Sequence, residues 1–372
     1  MPPIWPAGDG RDTVSPAEVA AKAPLRSAQR GLHIGVDIGG TKVLAAEVGP
    51  GGEVVRTAHR STPGRRVETR LVEDALTEAV QEVAAGRPVA GVGLAAAGFV
   101  DAAGERIMFA PHLPWRGDGT RERLERRWAT RVVLDNDANC AARAELELGA
   151  ARGVGSALMV TMGTGIGGAV VIGGALMRGR NGMAGEFGHM QVVPDGLPCE
   201  CGETGCWEQY SSGNALVRFV RARLERPEHG ETVLEEMSGG DPAAVTGPMV
   251  TEAGRLGDGL ALAAFASVGE WLGVGLANLV AAFDPDLLVI GGGVSAAGEL
   301  LLGPARAALE ESLVGSDHRD IPPVVRAMFG PEAGVVGAAA LARAGWTEER
   351  PRIVRPLRRR PTGRRGPWAS WR

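Results

Sequence analysis

Two stretches of the chain repeat one succession of apolar and small residues. LHIGVDIGGTKVLAAEV, from Leu32, and SALMVTMGTGIGGAVVIGG, at 156–174, each show an apolar strand, a glycine turn and a second strand. The repetition predicts a core built from two similar halves.

The segments between and after these hairpins alternate between strand and helix patterns. We predict further strands at 53–60, 89–98 and 130–137, and then at 287–295 and 324–328. Helices are predicted at 67–85, 138–149 and 332–343, a mostly helical region runs to about residue 283, and 226–248 has the composition of a polar loop or insertion. This order of elements is typical of an α/β protein.

Length, charge and cysteine content limit the classes of protein to which the chain can belong. The 372 residues suffice for two domains, and a net charge of −4 gives no electrostatic footprint for nucleic acid. There is no secretory signal, and no apolar run reaches the roughly 20 residues that span a bilayer. We expect residues 1–30 to be a disordered leader and 346–372 a basic disordered tail, because the eight arginines after Pro351 lack acidic partners. The four cysteines fit a cytoplasmic protein.

The segment EFGHMQVVPDGLPCECGETGCWE, at 186–208, carries a metal-ligand pattern. One histidine and three cysteines suit a closed tetrahedral Zn²⁺ site, formed by His189, Cys199, Cys201 and Cys206. A disulfide is disfavoured, because C-x-C is too tight for bridged Cα atoms roughly 5.5–6 Å apart. A closed zinc site would fix this loop and the two carboxylates that bracket it, Glu186 and Glu208.

Three glycine turns follow strands, at 37–42 (DIGGTK), 163–168 (GTGIGG) and 291–293 (GGG). Their exposed backbone N–H groups can hold phosphate oxygens, and Asp37 could hold Mg²⁺ through water. A plain hairpin turn is the alternative at 37–42. None follows the Walker-A pattern, and Gly163-Thr164-Gly165 leads into a strand, which argues against a dinucleotide fold. A nucleotide in a cleft between lobes is the predicted ligand.

The segment LDNDANCAA, at 134–142, contains two candidates for a general base. Asp137 lies where a strand gives way to a helix, and phosphoryl transfer to an alcohol needs a carboxylate that accepts the hydroxyl proton. Asp135 would share its face in an extended segment, and Asp137 could instead be the N-cap of the helix. The spacing alone does not choose between these interpretations.

Five motifs carry a resemblance to a known family: DIGGTK, NDAN, GTGIGG, E-x-G-H and C-x-C-G-x-x-G-C-x-E. Over about 32–345 the chain is similar to the ROK (repressor, open reading frame, kinase) family, and within it most like the bacterial ATP-dependent glucokinases. The resemblance implies an actin-like ATPase (ribonuclease H-like) fold with two lobes around a cleft. A small lobe would span 31–135, with the helix at 332–345 packing back onto it, and a large lobe would span 136–331.

The resemblance also implies roles for single residues. Asp137 would be the base and Asn136 would hold a neighbouring hydroxyl, with Gly98 beside the sugar. Glu186, His189 and Glu208 would bond the sugar, and His189 would use its other ring nitrogen for zinc. The phosphates would lie on Gly39, Gly40, Thr41 and Lys42 and on Gly163, Thr164 and Gly165, and the adenosine would lie near Gly291, Gly292 and Gly293.

The resemblance implies that the chain transfers phosphate from Mg²⁺·ATP to a hexose, giving the hexose 6-phosphate, and D-glucose is the leading candidate for the substrate. Two departures bear on the sugar: Ala97 replaces the usual proline before Gly98, and His112 replaces the usual asparagine before LPW. Mannose, N-acetylmannosamine, N-acetylglucosamine or fructose remains an alternative substrate, as polyphosphate does for the donor.

Two functions without catalysis compete with the kinase. A sugar-responsive repressor of the same family would need a winged helix-turn-helix, and the thirty or so residues before Leu32 are too few for one. A catalytically idle sugar sensor would bind the sugar without turnover. By analogy with the family we expect a homodimer or homotetramer.

Overall fold

The computed structural model describes residues 27–344 except 118, 227 and 229, and gives only the backbone of 27–30. Most of the predicted leader and all of the predicted basic tail lie outside these residues. The first strand begins at Ser27, inside the stretch expected to be a leader, and Ser27 pairs with Val89.

Twelve β-strands occur within the described part of the chain. They are β1 (Ser27–Ile38), β2 (Lys42–Val48), β3 (Val54–Ser61), β4 (Val89–Ala96), β5 (Phe99–Val100), β6 (Ile107–Phe109), β7 (Val132–Asn136), β8 (Ser156–Met162), β9 (Ile166–Ile172), β10 (Ala175–Leu176), β11 (Leu287–Gly291) and β12 (Val324–Arg326).

The first sheet carries strands in the order β3-β2-β1-β4-β7. The central strand β1 is antiparallel to β2 and parallel to β4, and β7 is parallel to β4. Ile34, Val36 and Ile38 of β1 are fully buried, so this strand forms the middle of the core.

The second sheet repeats that arrangement as β10-β9-β8-β11-β12. Again three antiparallel strands, β8, β9 and β10, are extended by two further strands, β11 and β12, which run parallel to β8. The internal repeat predicted from the two hairpins is therefore present in the strand order. Strands β5 and β6 form a separate small hairpin.

Nine α-helices occur within the described residues. They are α1 (Thr69–Ala84), α2 (Thr120–Trp128), α3 (Asp137–Leu148), α4 (Gly213–Leu224), α5 (Val233–Met237), α6 (Gly247–Arg255), α7 (Gly259–Phe283), α8 (Glu299–Ser312) and α9 (Ala333–Ala344).

Helices α3 and α9 pack against each other, with α9 on the first sheet and α3 also touching the second. Glycine permits this close approach. A Cβ on Gly35 would lie 1.9 Å from the Val335 carbonyl oxygen, and one on Gly337 would lie 1.6 Å from the Cys140 carbonyl oxygen. Because α3 starts at Asp137, this packing fixes the predicted base relative to both sheets.

Helix α7 ends at Phe283, where the predicted helical region ends. Its 25 residues, with a mean hydropathy of 1.6 in the most apolar window, would suffice by length and composition to cross a membrane. Here it is a core helix, since Phe265, Leu272 and Leu276 are buried and Gly273 lies against the Ala305 carbonyl of α8.

The segment 226–248 is more ordered than a polar loop. It contains α5 and a 3₁₀ turn, and Leu234 and Val245 are fully buried. Asp258 accepts hydrogen bonds from the Thr232 hydroxyl (2.7 Å) and the Val233 N–H (2.9 Å), which ties the segment to the start of α7.

Candidate active site

The end of β7 is shaped by an asparagine cap. The Asn136 side-chain oxygen accepts hydrogen bonds from the Ala138 N–H (2.8 Å) and the Asn139 N–H (3.2 Å), and its amide donates to the Gly98 carbonyl (3.1 Å). The N-cap of α3 is thus Asn136, and the alternative that gave this role to Asp137 is wrong. Asp137 is the first helical residue, where the helix dipole stabilises negative charge.

Asp135 has a different environment from Asp137. It is buried, and its carboxylate accepts hydrogen bonds from Arg178 Nε (3.0 Å) and from Asn139 Nδ2 (3.0 Å). A carboxylate bound in this way is poorly placed to take a proton from a substrate. The structure therefore favours Asp137 over Asp135.

Besides burial, the Asp137 carboxylate raises the pKa of two other carboxyl groups, those of Asp37 and Glu186, which with Asp137 form an acidic cluster. Burial raises the pKa of Asp137. Burial, and secondly the Asp137 carboxylate, raise the pKa of Asp37 to about 7. The same two causes, followed by Glu208, raise the pKa of Glu186 to about 7. Carboxyl groups with raised pKa values in one place are typical of sites that handle protons or cations.

The glycine turn after β8 touches one of the predicted sugar ligands. Glu208 Oε2 accepts a hydrogen bond from the Ile166 N–H (2.8 Å), and a Cβ on Gly165 would lie 1.9 Å from that oxygen. A Cβ on Gly292, which has φ +78°, would lie 2.4 Å from the Met162 carbonyl oxygen. The turns after β8 and β11 are therefore neighbours, as a shared nucleotide site requires.

The turn after β1 is closed by its own backbone. The Gly39 N–H donates to the Lys42 carbonyl (3.0 Å), and the Thr62 hydroxyl donates to the Gly39 carbonyl (2.8 Å). A Cβ on Gly40 would lie 2.6 Å from His112 Cβ. The histidine that departs from the family pattern thus packs on this turn. Thr41 and Lys42 complete the turn, and both are exposed.

The four predicted zinc ligands lie together. Their ligand atoms are all within 4.8 Å of one another, with Cys199 Sγ 3.7 Å from His189 Nδ1 and Cys201 Sγ 3.6 Å from Cys206 Sγ. Tetrahedral zinc bonds would place such S–N and S–S pairs about 3.6 and about 3.8 Å apart. Donor type and spacing therefore both fit Zn²⁺. All four cysteines are free, and Cys140 is buried in the core, away from the other three.

The cysteine loop also positions the two acidic residues. Glu186 precedes a 3₁₀ turn that ends at His189, and Glu208 lies in a second 3₁₀ turn that starts after Cys206. The Trp207 N–H donates to the Met190 carbonyl (2.8 Å), which joins the two turns. Metal binding would therefore fix Glu186 and Glu208 relative to each other.

Arg178 is a residue of this site that the sequence did not predict. Its partner Asp135 lies 43 positions earlier in the chain, and an arginine in a loop carries no local signal of such a pair.

Comparisons with known proteins identify the family of the chain. A model of the ROK family matches residues 33–345. The glucokinase of Streptomyces coelicolor is 41% identical over 313 residues, which cover 84% of this chain and 98% of that protein. The xylose repressor of Bacillus subtilis is 25% identical over 300 residues, 78% of this chain and 73% of the repressor.

A solved structure is similar over the same region. The ROK family glucokinase from Streptomyces griseus, in complex with glucose and AMPPNP, has a TM-score of 0.79 and 43% identity, covering 85% of this chain and 100% of that chain. With the family model matching most of its length, the chain belongs to the ROK family.

Proposed function

We propose that this ROK protein is an ATP-dependent glucokinase that transfers the γ-phosphoryl group to the 6-hydroxyl of D-glucose. The observation that carries the proposal is Asp137 in the first turn of α3, where burial and then the Asp137 carboxylate raise the pKa of the neighbouring Glu186. Relatives of 41% and 43% identity are glucokinases, one of them in complex with glucose and AMPPNP, which supports the substrate pair.

Asp137 would accept the hydroxyl proton as the oxygen attacks the γ-phosphorus in line. A base works best when its pKa lies near the operating pH, and burial raises the pKa of Asp137 in that direction. Asn136, Gly98, Glu186, His189 and Glu208 would bind the sugar. Because Asn136 donates to the Gly98 carbonyl, one hydrogen bond joins two of these contacts.

ATP would bind across the glycine turns. The phosphates would be held by Gly39, Gly40, Thr41 and Lys42 and by Gly163, Thr164 and Gly165, and the adenosine would lie near Gly291, Gly292 and Gly293. The contact between Gly292 and the Met162 backbone supports a common site for the last two turns. Mg²⁺, when bound, would neutralise phosphate charge, and Asp37 would hold it through water.

We further propose that the fold is of the actin-like ATPase (ribonuclease H-like) type, with lobes at 31–135 and 136–331 and the helix at 332–345 on the first lobe. The identical strand order of the two sheets and the packing of α9 on β1 support this division. In the same way, the four clustered ligand atoms support a structural Zn²⁺ on His189, Cys199, Cys201 and Cys206. A cytoplasmic location and a homodimer or homotetramer remain predictions.

A coupled ADP-release assay with ATP and Mg²⁺ across a sugar panel tests the activity. We expect D-glucose to give the highest kcat/KM among glucose, mannose, fructose and the two N-acetylated hexosamines. Polyphosphate in place of ATP should give little turnover. Absence of sugar-dependent ADP release, together with sequence-specific DNA binding, would instead support a repressor such as the Bacillus subtilis relative.

A further inference from the structure

We infer that Asp135 and Arg178 are positioning residues, which hold the base-bearing end of β7 and the loop leading to Glu186 in one arrangement. The inference rests on the proposed function, because it concerns the same site. Neither residue would touch the substrates, and each would act through its neighbours in the chain.

The Asp135 carboxylate is bonded on both oxygens. Oδ2 accepts hydrogen bonds from Arg178 Nε (3.0 Å) and Nη2 (2.5 Å). Oδ1 accepts from the Asn136 N–H (2.9 Å) and from Asn139 Nδ2 (3.0 Å). The last two bonds fix residues on both sides of Asp137, so the carboxylate organises the backbone that presents the base.

Arg178 lies on the loop that follows β10 of the second sheet. Its carbonyl accepts a hydrogen bond from the Ala184 N–H (3.1 Å), which closes the segment 178–184 two residues before Glu186. A Cβ on Gly182 would lie 2.0 Å from the Val100 carbonyl oxygen, so the same segment also packs on the β5–β6 hairpin. The ion pair therefore connects a loop of the second sheet to a strand end of the first.

Burial of this ion pair makes the loss of either partner costly. The Asp135 side chain is 3% exposed and that of Arg178 is 20% exposed, and a buried pair that loses one partner leaves an uncompensated charge. Without Arg178, the Asp135 charge would stand beside an already acidic cluster. We expect β7 and the loop to separate, which would misplace Asp137 relative to the sugar-binding Glu186.

Arg178→Met tests the inference, with Arg178→Lys as the conservative variant. Arg87→Met is the matched control, because Arg87 bonds Glu47 through two N–H groups (3.0 and 2.7 Å), at the end of β2 that lies away from the glycine turn. We expect Arg178→Met to lower kcat for glucose at least tenfold, with the KM for ATP changed less than threefold. Lysine should recover part of the loss, and the control should keep kcat within twofold.

Asp135→Asn keeps the size of the side chain and gives a second route to the same answer. It should lower kcat like Arg178→Met, and the double variant should lose no more than either single one, since both remove one interaction. Circular dichroism selects an assay temperature at which each variant is folded. If the wild type is active and Arg178→Met or Asp135→Asn keeps kcat within threefold of the wild-type value, this inference alone is overturned. If the wild type is inactive, the proposed function is overturned.

Discussion

Replacing Gly165 by alanine is expected to weaken glucose binding through Glu208. The added Cβ would lie 1.9 Å from Glu208 Oε2, so the oxygen must retreat by about 1.5 Å to reach an ordinary contact of 3.4 Å. That movement breaks the 2.8 Å hydrogen bond that the oxygen accepts from the Ile166 N–H.

The size of the effect follows from the hydrogen bond that the displaced carboxylate would no longer accept from the sugar. A hydrogen bond to a charged group contributes about 1.5–3 kcal/mol. At about 1.4 kcal/mol for each tenfold change, the glucose dissociation constant should rise about 10- to 150-fold. The change falls on sugar affinity because the displaced carboxylate is the proposed sugar ligand.

Isothermal titration calorimetry of glucose without nucleotide measures the affinity directly. Gly163→Ala is the control in the same turn, since its added Cβ would meet no atom within 4 Å. The control should keep the glucose dissociation constant within twofold. A Gly165→Ala variant that binds glucose as tightly as the wild type would refute the role of Glu208.

Two further predictions concern the metal loop and the acidic cluster. Freshly purified protein should contain one zinc per chain by elemental analysis. Cys201→Ala should lose both zinc and activity, while the control Cys140→Ala should keep its zinc. Wild-type protein without zinc would contradict this prediction. Because the pKa of Glu186 is raised from 4.5 to about 7 in the folded state, its ionisation destabilises the fold as pH rises through that range. Chemical unfolding should therefore show Glu186→Gln gaining stability over the wild type, by little at pH 5 and by about 3 kcal/mol at pH 8. A gain independent of pH would argue against the cluster.

The apolar patterning of the sequence sufficed for most strands of the two large sheets. Runs such as that of β1 are buried on both faces, so their hydrophobicity is continuous and easily read. The β5–β6 hairpin was missed because strands of two and three residues are too short to show alternation. Helix α2 was missed because only Thr120, Leu124 and Trp128 of its nine mostly charged residues are buried.

The candidate site divides in a similar way. Motif residues brought together by one local loop, such as His189 and Cys206, could be predicted from spacing alone. The choice between Asp135 and Asp137 could not, because it depends on Arg178, which approaches from another sheet. The cap on α3 was equally undecidable, since moving the helix start by one residue exchanges Asn136 and Asp137.

The central claim is that Asp137 takes the proton from the sugar hydroxyl. The most direct measurement compares ADP release by Asp137→Asn with its glucose affinity, because asparagine keeps the shape and removes the base. We predict that turnover falls at least about 100-fold while the glucose dissociation constant changes little. A variant that retains more than about a tenth of the wild-type turnover, a barrier change below about 1.4 kcal/mol, would contradict the assignment.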